Sequence, residues 1–221
     1  MSEPLPRQRR LITLEGGEGA GKSTALATVR ACLEAAGGEV VVTREPGGTP
    51  LAEQLRAMVL QAGSDPHSSE TLSAEAELLM VFAARAQHVR QQIAPALARG
   101  AWVLSDRFTD SSHAYQGAGR GLDASWIDDL ERRVVGFVPG LTVWLDVPVA
   151  VGRARVRGRG GQLDRIEREH DGFFQRVHDG FARRAANEPE RFARIDAAQT
   201  LEHVVADVRA AVQAHLGRAC A

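Results

Sequence analysis

The run LEGGEGAGKST (Leu14–Thr24) constrains this chain more than any other stretch. Gly16, Gly21, Lys22 and Ser23 fit the pattern G-x-x-x-x-G-K-[ST]. The apolar run RLITLE (Arg10–Glu15) precedes them as a strand should, and the helical pattern STALATVRACLEAAGG follows. Glycines let successive backbone N–H groups turn inward, and a helix start adds positive partial charge, so the unit is built to hold phosphate. The expected nucleotide cradle is Gly16, Gly17, Glu18, Gly19, Ala20, Gly21, Lys22, Ser23 and Thr24. Lys22 is expected to reach the β- and γ-phosphates, and the Ser23 hydroxyl to bind Mg²⁺. Glu18 is out of place: a carboxylate among phosphates repels them unless it faces a second ligand.

Basic residues number 27, and Lys22 is the one lysine among them. In a chain this biased toward arginine, a compact ammonium survives where a guanidinium fork does not fit beneath phosphates. The net charge of -1 offers no basic field for nucleic acid. Cys32 and Cys220 match no metal spacing and suit a reduced cytoplasmic protein. No apolar run is long enough to span a membrane.

Further strands are expected at Glu39–Thr43, Ala101–Asp106, Leu141–Val147 and, more weakly, Phe192–Asp196. Helical patterns at 50–62, 70–99 and from after the last strand to Leu216 separate or follow them. That alternation implies an α/β fold with a parallel sheet covered on both faces. Residues 1–9 read as a loose arm and 10–217 as one domain. The arginine-rich segment from Arg153 to about Glu169 is either a solvated charge run or a cover that brings arginines onto phosphate. A GTPase would need an Asn-Lys-x-Asp base reader, and the one asparagine, Asn187, is followed by Glu188. A small kinase acting on a small molecule remains.

Four more stretches narrow the choice: TREPGGTPLAEQLR (Thr43–Arg56), FAARAQH (Phe82–His88), SDRFTDSSHAYQGAGRG (Ser105–Gly121) and LDRIE (Leu163–Glu167). In this order, together with the loop, they resemble the bacterial thymidylate kinases from about residue 10 to 200. The resemblance implies a P-loop NTPase three-layer fold, with a five-stranded parallel sheet flanked by helices and a short lid at about 153–169. It implies γ-phosphoryl transfer from ATP to dTMP, giving dTDP and ADP on the way to dTTP, with Mg²⁺ and commonly as a homodimer. Residues 70–99 are one candidate for the dimer face.

Carried onto this chain, the resemblance makes Arg107 and Arg56 the grips on the acceptor phosphate. It makes Asp106 the metal ligand, with Asp146 as rival. Arg85 would read a thymine carbonyl and Phe82 would stack on the ring, although many family members place that aromatic where this chain has Val81. Ser112 and Gln116 would bond the base edge, and Tyr115 would crowd a ribose 2′-hydroxyl. Glu18 would turn from ATP to accept from the deoxyribose 3′-hydroxyl. The loop carries no arginine, so a lid arginine, Arg159 or Arg165 among them, would supply the transition-state charge. His113 reads as a helix surface group, and Trp102, Trp126, Trp144 and Cys32 as packing residues. Two rivals stay open: a kinase for another small acceptor, and a nucleotide-binding module without transfer.

Overall fold

The computed structural model describes residues 4–62 and 70–219; residues 1–3 of the expected arm, and Cys220, lie outside them. Five strands form one sheet: β1 (Arg7–Glu15), β2 (Val40–Arg44), β3 (Trp102–Asp106), β4 (Val138–Asp146) and β5 (Phe192–Asp196). Their order is β2-β3-β1-β4-β5 and every pairing is parallel. β1 is central and covered on both faces, which is why Leu11, Ile12 and Leu14 are all fully buried and the run shows no alternation. It begins at Arg7 rather than Arg10, because Arg7 and Gln8 pair with Val138 and Pro139 ahead of the apolar part of β4.

One face of the sheet carries α1 (Lys22–Ala35) and α9 (Leu201–Ala219). Ala25, Val29 and Leu33 of α1, and Val204, Val208 and Val212 of α9, recur every fourth residue and meet Ile12, Leu14, Leu104 and Val143. The other face carries α3 (Ala74–His88), which runs through the π-helical turn Val89–Ile93 into α4 (Ala94–Ala98), and α8 (Asp171–Asn187). Ile93 and Ala96 pack on Leu11 and Val103, while Phe173, Val177 and Phe181 pack against Trp144 and Tyr115. The fold is thus the expected three-layer α/β arrangement.

Shorter helices complete the edge above the strand ends. α2 (Pro50–Gln61) starts cleanly, with Thr49 accepting from the Ala52 N–H and proline in the first turn. α5 (Thr109–Ser112) continues into the π-helical segment His113–Gly119, and α6 (Ala124–Leu130) into Glu131–Val135. The sequence reading placed His113 on a helix but gave neither stretch its bounds, since serines and glycines mask the periodicity of 109–119 and the charged run DDLERR that of 124–135. α7 (Val149–Arg159) ends at Gly160, whose φ of 70° lies in the left-handed region.

From β1 the chain crosses to β2 on one side, and from β3 it crosses β1 to β4 on the other, so the switch point lies between the carboxyl ends of β1 and β3. Leu14 and Arg44 are both level with Asp106 there. The loop after β1 is pressed against α7: a Cβ on Gly152 would stand 2.5 Å from the Glu18 carbonyl oxygen, and one on Gly19 2.3 Å from the Gly152 oxygen.

Gly152→Ala sets two effects against each other. Alanine gains about 1 kcal/mol of helix propensity, while forcing a methyl against fixed backbone costs about 1–3 kcal/mol. The neighbour is main chain and has to shift, so the clash wins. The variant is expected to unfold at lower urea and bind ATP more weakly; an unchanged midpoint and affinity would show that the contact is slack.

Candidate active site

The glycine pattern becomes geometry at the end of β1. Gly19 and Gly21 hold φ values of 74° and 90°, open to glycine and unfavourable for other residues. The Lys22 ammonium folds back over the loop and donates to the carbonyls of Gly16 and Gly17, each at 3.2 Å. Burial, and after it the Arg107 guanidinium, lower the pKa of Lys22 against the pull of Glu18, Asp106 and Glu15. A crowded pair of cations of this kind gains from an anion placed between them.

Arg107 follows β3 and is the one non-glycine residue with positive φ, 69°, among the described residues. Such a backbone costs on the order of 1–3 kcal/mol and persists only when its surroundings fix it. Its N–H donates to Leu14 O at 2.9 Å. Its guanidinium donates to Gly16 O at 3.0 Å, to Ser111 Oγ at 3.2 Å and to Glu18 Oε1 at 2.7 Å. The Tyr115 hydroxyl donates to the same Glu18 oxygen at 3.1 Å, and the Tyr115 ring lies 4.8 Å from the Arg107 guanidinium. Burial would raise the Glu18 carboxyl, but Arg107 and Lys22 outweigh it and hold the pKa below its ordinary value. The acid in the phosphate loop is therefore ionised and turned away from the loop's own amides, toward the far side of the cleft.

That cleft has a volume of about 390 Å³ and is walled by α2, α3, the segment after α5, and the stretch beyond α7. Arg85 stands on the α3 wall with all three guanidinium nitrogens engaged: Nε to Glu45 Oε2 at 2.6 Å, Nη1 to Ser112 Oγ at 3.0 Å and Nη2 to Phe108 O at 3.1 Å. Glu45 in turn meets His88 Nδ1 at 2.9 Å, and His88 Nε2 lies 2.7 Å from Thr43 Oγ1. Gln116 donates to Glu77 at 2.8 Å. Arg56 donates to Pro46 O at 3.0 Å and borders the cleft. Its pKa is lowered by burial, then by Arg44, with Arg107 adding to the repulsion.

Phe82 is where the structure departs from the expected stacking. It lies under the Arg85 guanidinium, 4.5 Å from ring centre to Cζ, and packs with Leu78 and Ile127. Val81 borders the cleft instead. A residue four before Arg85 shares its helix face, whereas one three before is turned about 100° further round.

On the phosphate side, Asp106 borders the cleft and its Oδ1 is buried without a hydrogen-bond partner. Its rival Asp146 is engaged, at 2.7 Å from His178 Nε2 and 2.6 Å from Arg194 Nη2. Arg159 reaches the cleft at the end of α7 and pairs with Glu167 at 2.6 Å. Arg165 is drawn elsewhere, donating to Val59 O at 2.8 Å and to Glu77. Arg155 donates to the loop itself, at Gly19 O, 3.3 Å, and to Ala197 O, 3.0 Å.

A glycine-rich loop, an acidic bridge and a cleft with a buried arginine lie together at the carboxyl ends of β1 and β3. The family profile described as thymidylate kinase matches residues 14–208 of this chain. The chain belongs to the thymidylate kinase family. It is 53% identical over 208 residues to the thymidylate kinase of Teredinibacter turnerae, covering 94% of this chain and 98% of that one. Those of Alkalilimnicola ehrlichii and Chromohalobacter salexigens are 52% identical over 210 residues and 55% over 202, covering 95% and 91% of this chain and 94% and 93% of theirs.

Within this thymidylate kinase scaffold, the residues that sequence reasoning passed over are acids. Glu45 sits beneath Arg85. Glu77 collects Gln116, Arg120 and Arg165. Glu15 accepts from the Phe108 N–H at 2.8 Å and from Ser111 at 2.6 Å, holding the turn that carries Arg107. The available signal was a carboxylate at a position that the pattern calls buried, such as Glu77 on the inner face of α3. His113, read as a surface group, is in fact 8% exposed.

Burial, and then the charge of Asp110, push the Glu15 carboxyl up from 4.5 to about 8. The folded state therefore holds a proton that the unfolded chain releases. Its stabilising contribution is complete below pH 4.5 and is lost as pH rises through about 8. Glu15→Gln keeps an acceptor for Phe108 and removes the titration. Urea midpoints measured across that range should fall with pH in the wild type and slope less in the variant; parallel slopes would sink this assignment.

Proposed function

We infer that the reaction of this chain is that of its family, transfer of the γ-phosphoryl group of ATP to dTMP, giving dTDP and ADP. The observation that carries this reading is the Glu18 carboxylate bridged to Arg107 and Tyr115. A phosphate loop serving ATP alone has no use for an acid facing away from it, whereas one shared with a sugar hydroxyl has. Glu18 accepts from the 3′-hydroxyl in this reading, and Tyr115 stands beside the sugar. Arg107 and Arg56 hold the acceptor phosphate, and Arg85, Ser112 and Gln116 border the base.

The nucleophile is a phosphate oxygen that is already anionic, so no general base is required. The protein aligns the two phosphates and neutralises charge through Lys22, Arg107 and Arg159. Arg165 serves the lid as an anchor to α2 and α3 in the arrangement described, and Arg155 flanks the donor side of the loop. Ser23 and Asp106 would hold Mg²⁺, a fit supported by the unpartnered Asp106 Oδ1. When bound there, the ion would supply charge neutralisation to the phosphates. A homodimer belongs to the same reading, with exposed Leu51, Met58 and Leu79 on α2 and α3 as its apolar contacts. So does a cytoplasmic setting; among the described residues no helix is long and apolar enough to cross a membrane.

ADP release with ATP and Mg²⁺ should be strong with dTMP and weaker with dUMP, and near background with dCMP, AMP, GMP and thymidine. The missing methyl is worth about 1–3 kcal/mol, or roughly 10–200-fold, against an apolar wall such as that of Val59, Val81 and Phe108. Equal turnover of dUMP would refute the thymine assignment. Preference for another acceptor would discard the base reading and keep the kinase, and silence with ATP bound would favour a binding module. Lys22→Ala should abolish turnover while equilibrium dialysis still shows dTMP bound; near-normal transfer would place the ATP site elsewhere.

A further inference from the structure

His113 lies two residues before Tyr115, so its side chain leaves the helical segment on the face opposite the cleft. There it meets the end of α6. His113 Nε2 is 3.5 Å from Glu131 Oε2 and 3.7 Å from Asp128 Oδ1, and one donor atom from each of the three residues lies within 4.8 Å of the others. These separations are too long for N–H···O hydrogen bonds, which span about 2.7–3.2 Å. They come close to the spacing of donors around one cation: metal–ligand distances of about 2.0–2.2 Å in a tetrahedron place neighbouring donors about 3.3–3.6 Å apart, which 3.5 Å meets and 3.7 Å slightly exceeds.

A second observation points the same way. The side chains of His113 and Glu131 are each 6% exposed. Within them, His113 Nε2 and Glu131 Oε1 are buried atoms with no hydrogen-bond partner. Unpaired polar atoms in a packed interior are costly, and an orphaned imidazole nitrogen that faces two carboxylates calls for a ligand. Asp128 is 57% exposed and leaves the point open to solvent, giving an ion a route in and a water a coordination position. The nearby cation Arg184 does not compete, because it is committed to Asp110 and Glu188, each at 2.9 Å.

We propose that His113, Asp128 and Glu131 form a Zn²⁺ site outside the catalytic cleft. Imidazole and carboxylates in this proportion suit a borderline divalent ion better than Mg²⁺, which prefers an all-oxygen shell. Bound there, the ion ties the segment bearing Tyr115 and Gln116 to α6. The site is separate from Ser23 and Asp106, so the two are distinguishable by mutation.

The test is titration of the EDTA-treated full chain with Co²⁺, followed by visible absorption, and with Zn²⁺, followed by calorimetry and thermal unfolding. One saturable event with tetrahedral Co²⁺ bands, and a Zn²⁺-dependent rise in unfolding midpoint, are expected in the wild type. Both should persist in Asp106→Asn and Cys32→Ser, and affinity should fall by about tenfold or more in His113→Gln and Asp128→Asn. Asp128 is at the surface, so its variant decides the matter even where His113→Gln fails to fold. Absence of an event that survives Asp106→Asn, or undiminished binding in Asp128→Asn, would overturn the proposal.

Discussion

The active site depends on one ion pair, Glu18 with Arg107. It joins the loop after β1 to the turn after β3, the two chain segments that flank the switch point. Without it the left-handed turn at Arg107 would rest on its bonds to Leu14 and Gly16 and on the grip of Glu15 alone, and Glu18 would be a lone carboxylate beside the glycine-rich loop. With it, each residue removes the other's electrostatic penalty, and Tyr115 is drawn in as a third member. The part-buried setting makes this more than a surface contact, because water screens it less than it does an exposed pair.

The same logic recurs around the cleft. Glu45 stands beneath Arg85, and Glu77 beneath Gln116, Arg120 and Arg165. Both acids spend their charge on orienting neighbours, and neither is left to repel an anionic ligand. A fully engaged guanidinium such as that of Arg85 loses little further freedom on binding, which favours recognition over adaptability. Further from the cleft, Asp110 between Arg184 and Arg191 fixes the other face of the segment that follows Arg107. Burial alone would raise that carboxyl, and the two arginines hold it far below the ordinary value.

Much of this was legible in the chain. The strand before the phosphate loop, the helix after it and the weak strand Phe192–Asp196 all stand where pattern placed them, because apolar runs and glycine breaks are local signals. Two kinds of feature were not legible. Helices at 109–119 and 124–135 are held by packing against α3 and α8; serines and glycines speak against the first locally, and the charged run DDLERR interrupts the apolar pattern of the second. The roles of Glu15, Glu45 and Glu77 depend on partners far along the chain, and a lone acid inside an apolar pattern does not say which arginine it will meet. The aromatic at 82 shows the limit of motif transfer: one step along a helix moved it from the cleft to the back of Arg85.

The contact between Gly152 and the phosphate loop has a mechanical consequence. α7 touches the loop in its first turn and carries Arg159 at its last, so it acts as a lever whose near end is pinned. Any swing of the arginine-bearing end has to be taken up beyond that pivot, at Gly158, Gly160 and Gly161, where added side chains would meet nothing. The glycines of this segment thus divide the labour by position: one admits close approach and sets the fulcrum, and the others leave the far arm free to turn.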